Sequence, residues 1–241
     1  MNTPASRPLF AFMLLGSVHC LAQSQEPAPV VSGIDISHHQ GTFDFSDIAG
    51  TGHRFVFVKA SEGMSMHDSH YLKNIANARK AGLAVGSYHY YDTDAAAADQ
   101  LENFEKIVVV RPGDLPPIVD IEKMSQESLP HMRAELQVFL NALEAKYGAR
   151  PIIYSGRSFA GDHLREFGRY NLWLAEYGVS KPTLPAGWSE WRFWQYSQDC
   201  RVGTFPRALD CNVFNGTLEQ FKGLLVRRPR LHIANPASKC P

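Results

Sequence analysis

The sequence predicts an α/β fold: a modified (β/α) barrel of eight strands with about five helices, the late helices missing. Three observations point there. Short apolar, β-branched runs recur along the chain, helical patterns separate the early ones, and polar residues gather where the runs end. The strand candidates span residues 33–37, 54–61, 84–91, 117–122, 151–155, 172–177, 193–197 and 211–215. Their near-continuous apolar character suits parallel strands buried on both faces.

The elements follow in order. Residues 1–22 read as a secretory signal: Arg7 precedes an apolar stretch at 9–18, and Ala22 offers a cleavage site. Residues 23–30 form a flexible lead-in and 31–225 the barrel domain. Between the first two strands only a turn of helix fits, near residues 45–48. Asp68 can cap a helix carrying Leu72, Ile75 and Ala76 on one face, ended by Gly82. Residues 95–108 place Leu101, Phe104 and Ile107 on one face. The longest helix runs from about 128 to 147, with Met132, Leu136, Phe139, Leu140 and Leu143 at helical spacing and Gly148 as its stop. Ser158 can cap a shorter helix with Phe159 and Leu164. Three strands then follow with no good helix between them. An open doubly wound sheet is the main alternative, but neither a G-x-G-x-x-G nor a P-loop supports it. A short basic tail, 226–241, carries Arg227, Arg228, Arg230, His232 and Lys239 and reads as solvated.

Lys plus Arg and Asp plus Glu number 24 each, so no charge excess marks a nucleic-acid or membrane-surface protein. No second apolar stretch could be a membrane helix. Cys200 and Cys211 flank a turn-like segment, and in an exported chain that spacing suits a disulfide closing a loop between two strands. Cys20 leaves with the signal and Cys240 is left odd.

The polar strand ends carry the chemistry. Asp35, Glu62, Tyr88, Asp120 with Glu122, Glu176 with Tyr177, Gln195, and Asp210 with Asn212 all fall there. In a parallel barrel those ends share the face on which active sites are built. Asp120 and Glu122 are two apart on a strand, so they point the same way with Cα atoms roughly 6.5–7 Å apart. Two carboxylates in one partly dry pocket do not both ionise freely, so one stays a proton donor near neutral pH. Cleaving a glycosidic bond needs that acid, and a carboxylate for the charge developing at the anomeric carbon. Tyr88, Tyr154, Trp173 and Tyr177 supply aromatic surface of the kind sugar rings pack against.

The chain resembles the glycoside hydrolase family 25 muramidases, the Chalaropsis-type lysozymes. The motifs lie in order at 33–41 (GIDISHHQG), 57–63 (FVKASEG), 86–90 (GSYHY), 119–122 (VDIE), 172–177 (LWLAEY), 193–196 (FWQY) and 210–214 (DCNVF). The resemblance implies a modified barrel lacking late helices, and hydrolysis of the β-1,4 bond between N-acetylmuramic acid and N-acetylglucosamine in peptidoglycan. It implies Glu122 as general acid, Asp120 as its partner carboxylate, and Asp35 and Asp210 completing an acidic ring, with Asn212 holding the strand end. The nucleophile is either a protein carboxylate or the substrate's own 2-acetamido group. Glu62, Tyr88, Tyr154, Trp173, Tyr177 and Gln195 are the candidate substrate contacts. The expected partners are peptidoglycan glycan strands. The expected state is a secreted or periplasmic monomer with no nucleic-acid partner and no stable membrane insertion.

Two other readings remain in view. Asp35 with His38, His39 and His89 could serve a metal-dependent polysaccharide deacetylase, and the aromatics could serve a non-catalytic glycan-binding barrel. No cofactor and no metal are expected, because His38 and His39 are adjacent and point to opposite faces of an extended strand.

Overall fold

The computed structural model describes residues 30–227. The signal (1–22), residues 23–29 of the lead-in, Cys20, Cys240 and the tail beyond 227 lie outside the described residues. The elements are β1 (Ser32–Ile36), α1 (Phe45–Gly50), β2 (Phe55–Glu62), β3 (Met66–His67), α2 (Tyr71–Lys80), β4 (Ala84–Tyr90), α3 (Ala97–Ile107), β5 (Ile118–Asp120), α4 (Leu129–Tyr147), β6 (Ile152–Gly156), α5 (Arg157–His163), β7 (Asn171–Ala175), β8 (Phe193–Cys200), β9 (Leu209–Phe214) and α6 (Leu218–Leu224). Eight strands close in the order β1, β2, β4, β5, β6, β7, β8, β9 and back to β1, while β3 is a hairpin extension of β2.

The barrel departs from the all-parallel expectation at one strand. β9 runs antiparallel to both β8 and β1. The cause is the short connection: β8 ends at Cys200 and β9 starts at Leu209, too close for a helical crossover. An antiparallel neighbour needs only a hairpin. The Cys200–Cys211 disulfide closes this hairpin, with Cα atoms 6.0 Å apart. Thr204 and Arg207 of its loop tie it to the segment after β1, through Asp47 Oδ2 and the carbonyls of His39 and Gln40.

Alternation along the strands divides the apolar residues into two bodies. Val56, Val58, Val119, Ile153 and Leu172 face the helices and pack on Phe104, Phe139 and Leu140. Phe55, Phe57, Tyr88, Ile118, Tyr154, Trp173 and Phe193 fill the barrel. Two glycines make room for this aromatic filling. A Cβ on Gly33 would lie 2.5 Å from the Phe55 ring, and one on Gly86 2.7 Å from the Phe57 ring. At the lower end Phe221 of α6 meets Phe55 and Phe214 at 5.6 and 5.5 Å and plugs the opening.

Helix α4 forms as its pattern dictates. Ser128 caps it, the five periodic residues are buried, and Gly148 ends it in the left-handed conformation at φ 64°. Other expectations need correction. The N-cap of α2 is His70 and not Asp68; Asp68 Oδ1 accepts the His70 backbone N–H at 2.9 Å in the turn leading into the helix, while its Oδ2 accepts the His38 backbone N–H at 2.6 Å and binds His38 Nδ1 at 2.9 Å. The buried face of α2 is Tyr71, Asn74, Ile75 and Ala78, and Leu72 is exposed. The face bearing Asn74 packs inward because its side chain hydrogen-bonds Phe43 N and Gly41 O. Helix α5 starts at Arg157 with Gly156 at its cap position, so Ser158 lies inside it. Helix α6 was absent from the expected count; among the described residues there are six α-helices where about five were expected. Its signal was legible: Thr217 and Gln220 form a reciprocal capping box. His38 and His39 sit in a 3-10 turn with rings 4.0 Å apart, not on an extended strand with opposed faces.

Candidate active site

The strand C-termini and the start of antiparallel β9 bring the polar residues to one end of the barrel. Asp35 on β1 lies directly across from Asp210 on β9 in the antiparallel register. Asp120 is the last residue of β5, and Glu122 follows just beyond the strand. The strand is shorter than expected, yet the alternation persists: Ile121 between them is buried in the outer core, so both carboxyls face the same side.

Four carboxyls therefore form two pairs, and all four are held above the ordinary range. Burial raises Asp35 most, and the charge of Asp210 adds to it. Asp210 is pushed up to about 6, by burial first, while its hydrogen bond with Asp35 pulls it back down. In the second pair burial raises Asp120 well above its ordinary value and the Glu122 charge raises it further. Glu122 is raised by burial and drawn down by Asp120, Lys123 and Lys59. Each pair has one deeply buried aspartate and one more open partner, so a proton shared within the pair is held to higher pH than on an isolated carboxyl. Asp120 Oδ1 is buried and has no hydrogen-bonding partner among the described residues, which leaves that oxygen for chemistry.

Asp35 is fixed by a chain of amides and aromatics. Its Oδ2 accepts from Gln195 Nε2 at 2.8 Å and Asn212 Nδ2 at 2.7 Å. Gln195 Oε1 accepts from the Tyr154 and Tyr177 hydroxyls at 2.8 and 2.5 Å, and Asn212 Oδ1 accepts from Trp173 Nε1 at 2.7 Å. Both amides are thereby locked in the orientation that points N–H at Asp35. With Oδ2 already taken by two donors, Oδ1 is the oxygen left to carry a proton. Asn212 thus holds a site carboxyl and not only its strand end.

The remaining candidates divide by position. Tyr88 lies inside the barrel against Trp173 at 6.3 Å, and burial followed by the charge of Asp35 raises its phenol well above the usual range. Trp173 is 2% exposed and packs on Phe57 and Tyr154 at 4.2 and 4.3 Å, so it is the floor of the site and offers no open face. Tyr154 is also nearly buried, whereas Tyr177 is 43% exposed and presents its ring outward. Glu62 is not joined to the four carboxyls; it binds Lys59 Nζ at 2.6 Å beside a cleft of about 620 Å³ that Tyr90 and Lys123 also line. His89 faces the helix layer, between Ser61 Oγ at 2.8 Å and Gln100 Oε1 at 3.1 Å, and burial lowers it to about 4.

Lys59 was not assigned a role from the sequence. It is 9% exposed, sits 4.9 Å over the Tyr90 ring, and lowers both Asp120 and Glu122. Its signal was a lysine inside the apolar run FVFVKA, since a buried charge needs a partner.

A closed barrel with two buried carboxyl pairs at its strand ends has the groups that glycosidic hydrolysis requires. The model for the glycosyl hydrolases family 25 matches residues 34–204, and the chain belongs to that family. Lysozyme M1 of Streptomyces globisporus is 32% identical over 208 residues, covering 80% of this chain and 71% of that protein. A protein of Escherichia coli (strain K12) called YegX, described as uncharacterized, is 33% identical over 201 residues, covering 81% and 73%. The crystal structure of a bacterial lysozyme from Streptomyces coelicolor matches with a TM-score of 0.77 and 31% identity, covering 81% of this chain and 96% of that one.

Proposed function

We propose that this chain is an N-acetylmuramidase that hydrolyses the β-1,4 bond between N-acetylmuramic acid and N-acetylglucosamine in peptidoglycan, with Glu122 as general acid and Asp120 as partner carboxylate. The observation that carries the reading is the Asp120–Glu122 pair, two carboxyls held above their ordinary range by burial on one side of β5. Such a pair titrates as a unit. Glu122 is its more exposed member, so the proton leaves the pair through Glu122 to the glycosidic oxygen, which departs as an alcohol with the bonding electrons; water then adds its oxygen to the anomeric carbon and returns a proton to the pair. Asp120 and its unpartnered Oδ1 face the positive charge that develops at the anomeric carbon.

Asp35 and Asp210 complete the acidic ring, and Tyr88, Tyr177 and Gln195 border the groove. The names of the relatives, lysozymes among them, support the substrate class. The sugar-facing partner is the glycan strand, and the enzyme acts as a monomer outside the cytoplasm; the signal-like N-terminus and the Cys200–Cys211 disulfide support export. The deacetylase reading loses its ligand set, because His89 faces the helices and His38 is engaged by Asp68.

The test is mass spectrometry of products from purified peptidoglycan. New reducing ends at muramic acid are expected from the native enzyme and none from Glu122→Gln, whose circular dichroism stays native. Full activity in Glu122→Gln, or acetate release without new reducing ends, refutes the assignment.

A further inference from the structure

The opposite end of the barrel carries a second charged feature that the hydrolysis does not use. A cavity of about 440 Å³ opens where the strands begin, lined by four cations, Arg54, Arg79, Arg111 and Lys222, and by a single carboxylate, Asp114. Arg54 immediately precedes β2; its backbone N–H donates to Ser32 O and its carbonyl accepts from Ala84 N, which places it at the strand N-termini. Asp114 is already committed. It takes Arg79 Nη2 at 2.6 Å and Nε at 3.1 Å, and its Oδ2 also accepts the Arg111 backbone N–H at 2.7 Å. The guanidinium groups of Arg54 and Arg111 have no hydrogen-bonding or ion-pair partner among the described residues. Among the described residues, Lys222 is paired with exposed Glu219 alone.

The segment after α6 closes one side of this turn. Val226 is pinned to this turn, donating to Asp114 O at 2.8 Å and accepting from Gly113 N at 2.9 Å. The cavity lining is therefore net cationic, with the guanidinium groups of Arg54 and Arg111 left for a ligand. Guanidinium forks match the paired oxygens of a phosphate, and a concave wall receives a phosphate group on a flexible chain better than it receives a flat bilayer.

We infer that this cavity binds the phosphate groups of a polyanionic polymer, holding the enzyme on a phosphate-rich surface while the far face works on glycan. Binding of the full-length secreted protein to long-chain polyphosphate, read by fluorescence anisotropy, tests it. Arg54→Ala/Arg111→Ala should weaken binding by roughly tenfold or more, as loss of two charge-assisted contacts implies. Lys222→Ala should weaken it less. Peptidoglycan cleavage should be unchanged in all three proteins, so failure here is distinct from failure of the muramidase reading. Polyglutamate should bind at least tenfold more weakly than polyphosphate. Equal binding by native and double-variant protein overturns the inference. So does equal affinity for polyglutamate, which would reduce the site to unspecific charge. Retention on phosphatidylglycerol vesicles without binding to polyphosphate overturns it in favour of a membrane contact.

Discussion

Asp210→Asn should make the protein more stable at neutral pH while damaging its site. Asp210 is pushed from 3.8 to about 6 in the folded state. Between those values the unfolded chain has released this proton and the folded chain keeps it, so stability falls as pH rises through the window. Taken at face value the shift is worth about 3 kcal/mol, at 1.36 kcal/mol per pH unit. Asp210 is partly exposed, and solvent screening reduces this to about 1–2 kcal/mol. Asparagine at 210 cannot ionise, so the variant should match the native protein near pH 3.5 and exceed it by about 1–2 kcal/mol at pH 7. Loss of the 210 charge also relieves Asp35, which acts in the same direction. Urea unfolding of both proteins across this range, read as the difference between them, cancels groups of opposite sign such as His89. A difference independent of pH would refute the proton-holding pair. Peptidoglycan lysis should fall in the variant, the usual cost when a strained site is relaxed.

Three further outcomes follow from the packing and from the other buried groups. Replacing both Cys200 and Cys211 by serine should cost about 3 kcal/mol in unfolding free energy, since a cross-link over 11 residues constrains the unfolded chain. Gly86→Ala should destabilise by about 1–3 kcal/mol, because its Cβ would meet Phe57 at 2.7 Å and Ile118 at 2.8 Å, and Ile118→Val should restore part of the loss. His89 is lowered from 6.5 to about 4, so its contribution is present above pH 6.5 and is lost as pH falls toward 4. Nuclear magnetic resonance titration should find its ring neutral through that window, and His89→Gln should flatten the acid limb of the stability profile.

Much of this fold was legible along the chain because the relevant signals are local. Helix α4 shows five periodic apolar residues between a serine cap and a glycine stop, and nothing in the tertiary structure overrides them. The Asp120–Glu122 pair was legible for the same reason: strand alternation alone puts residues two apart on one side. Leu72 and Asp68 were misread because several faces or partners were locally acceptable. Buried Asn74 and distant His38 decided between them through bonds spanning about 30 residues of sequence.

The sequence by itself determined the order of the eight barrel strands and the first five helices, the acids at the strand ends and the disulfide pair. Tertiary structure decided what those acids are. Closing the barrel sets β9 antiparallel beside β1, which puts Asp210 opposite Asp35 across 175 positions of chain. Burial of the two deep aspartates, Lys59 near the second pair and the Gln195–Asn212 clamp on the first then set where protons reside. Those are through-space effects of charge and desolvation, and they depend on distances that no local pattern encodes.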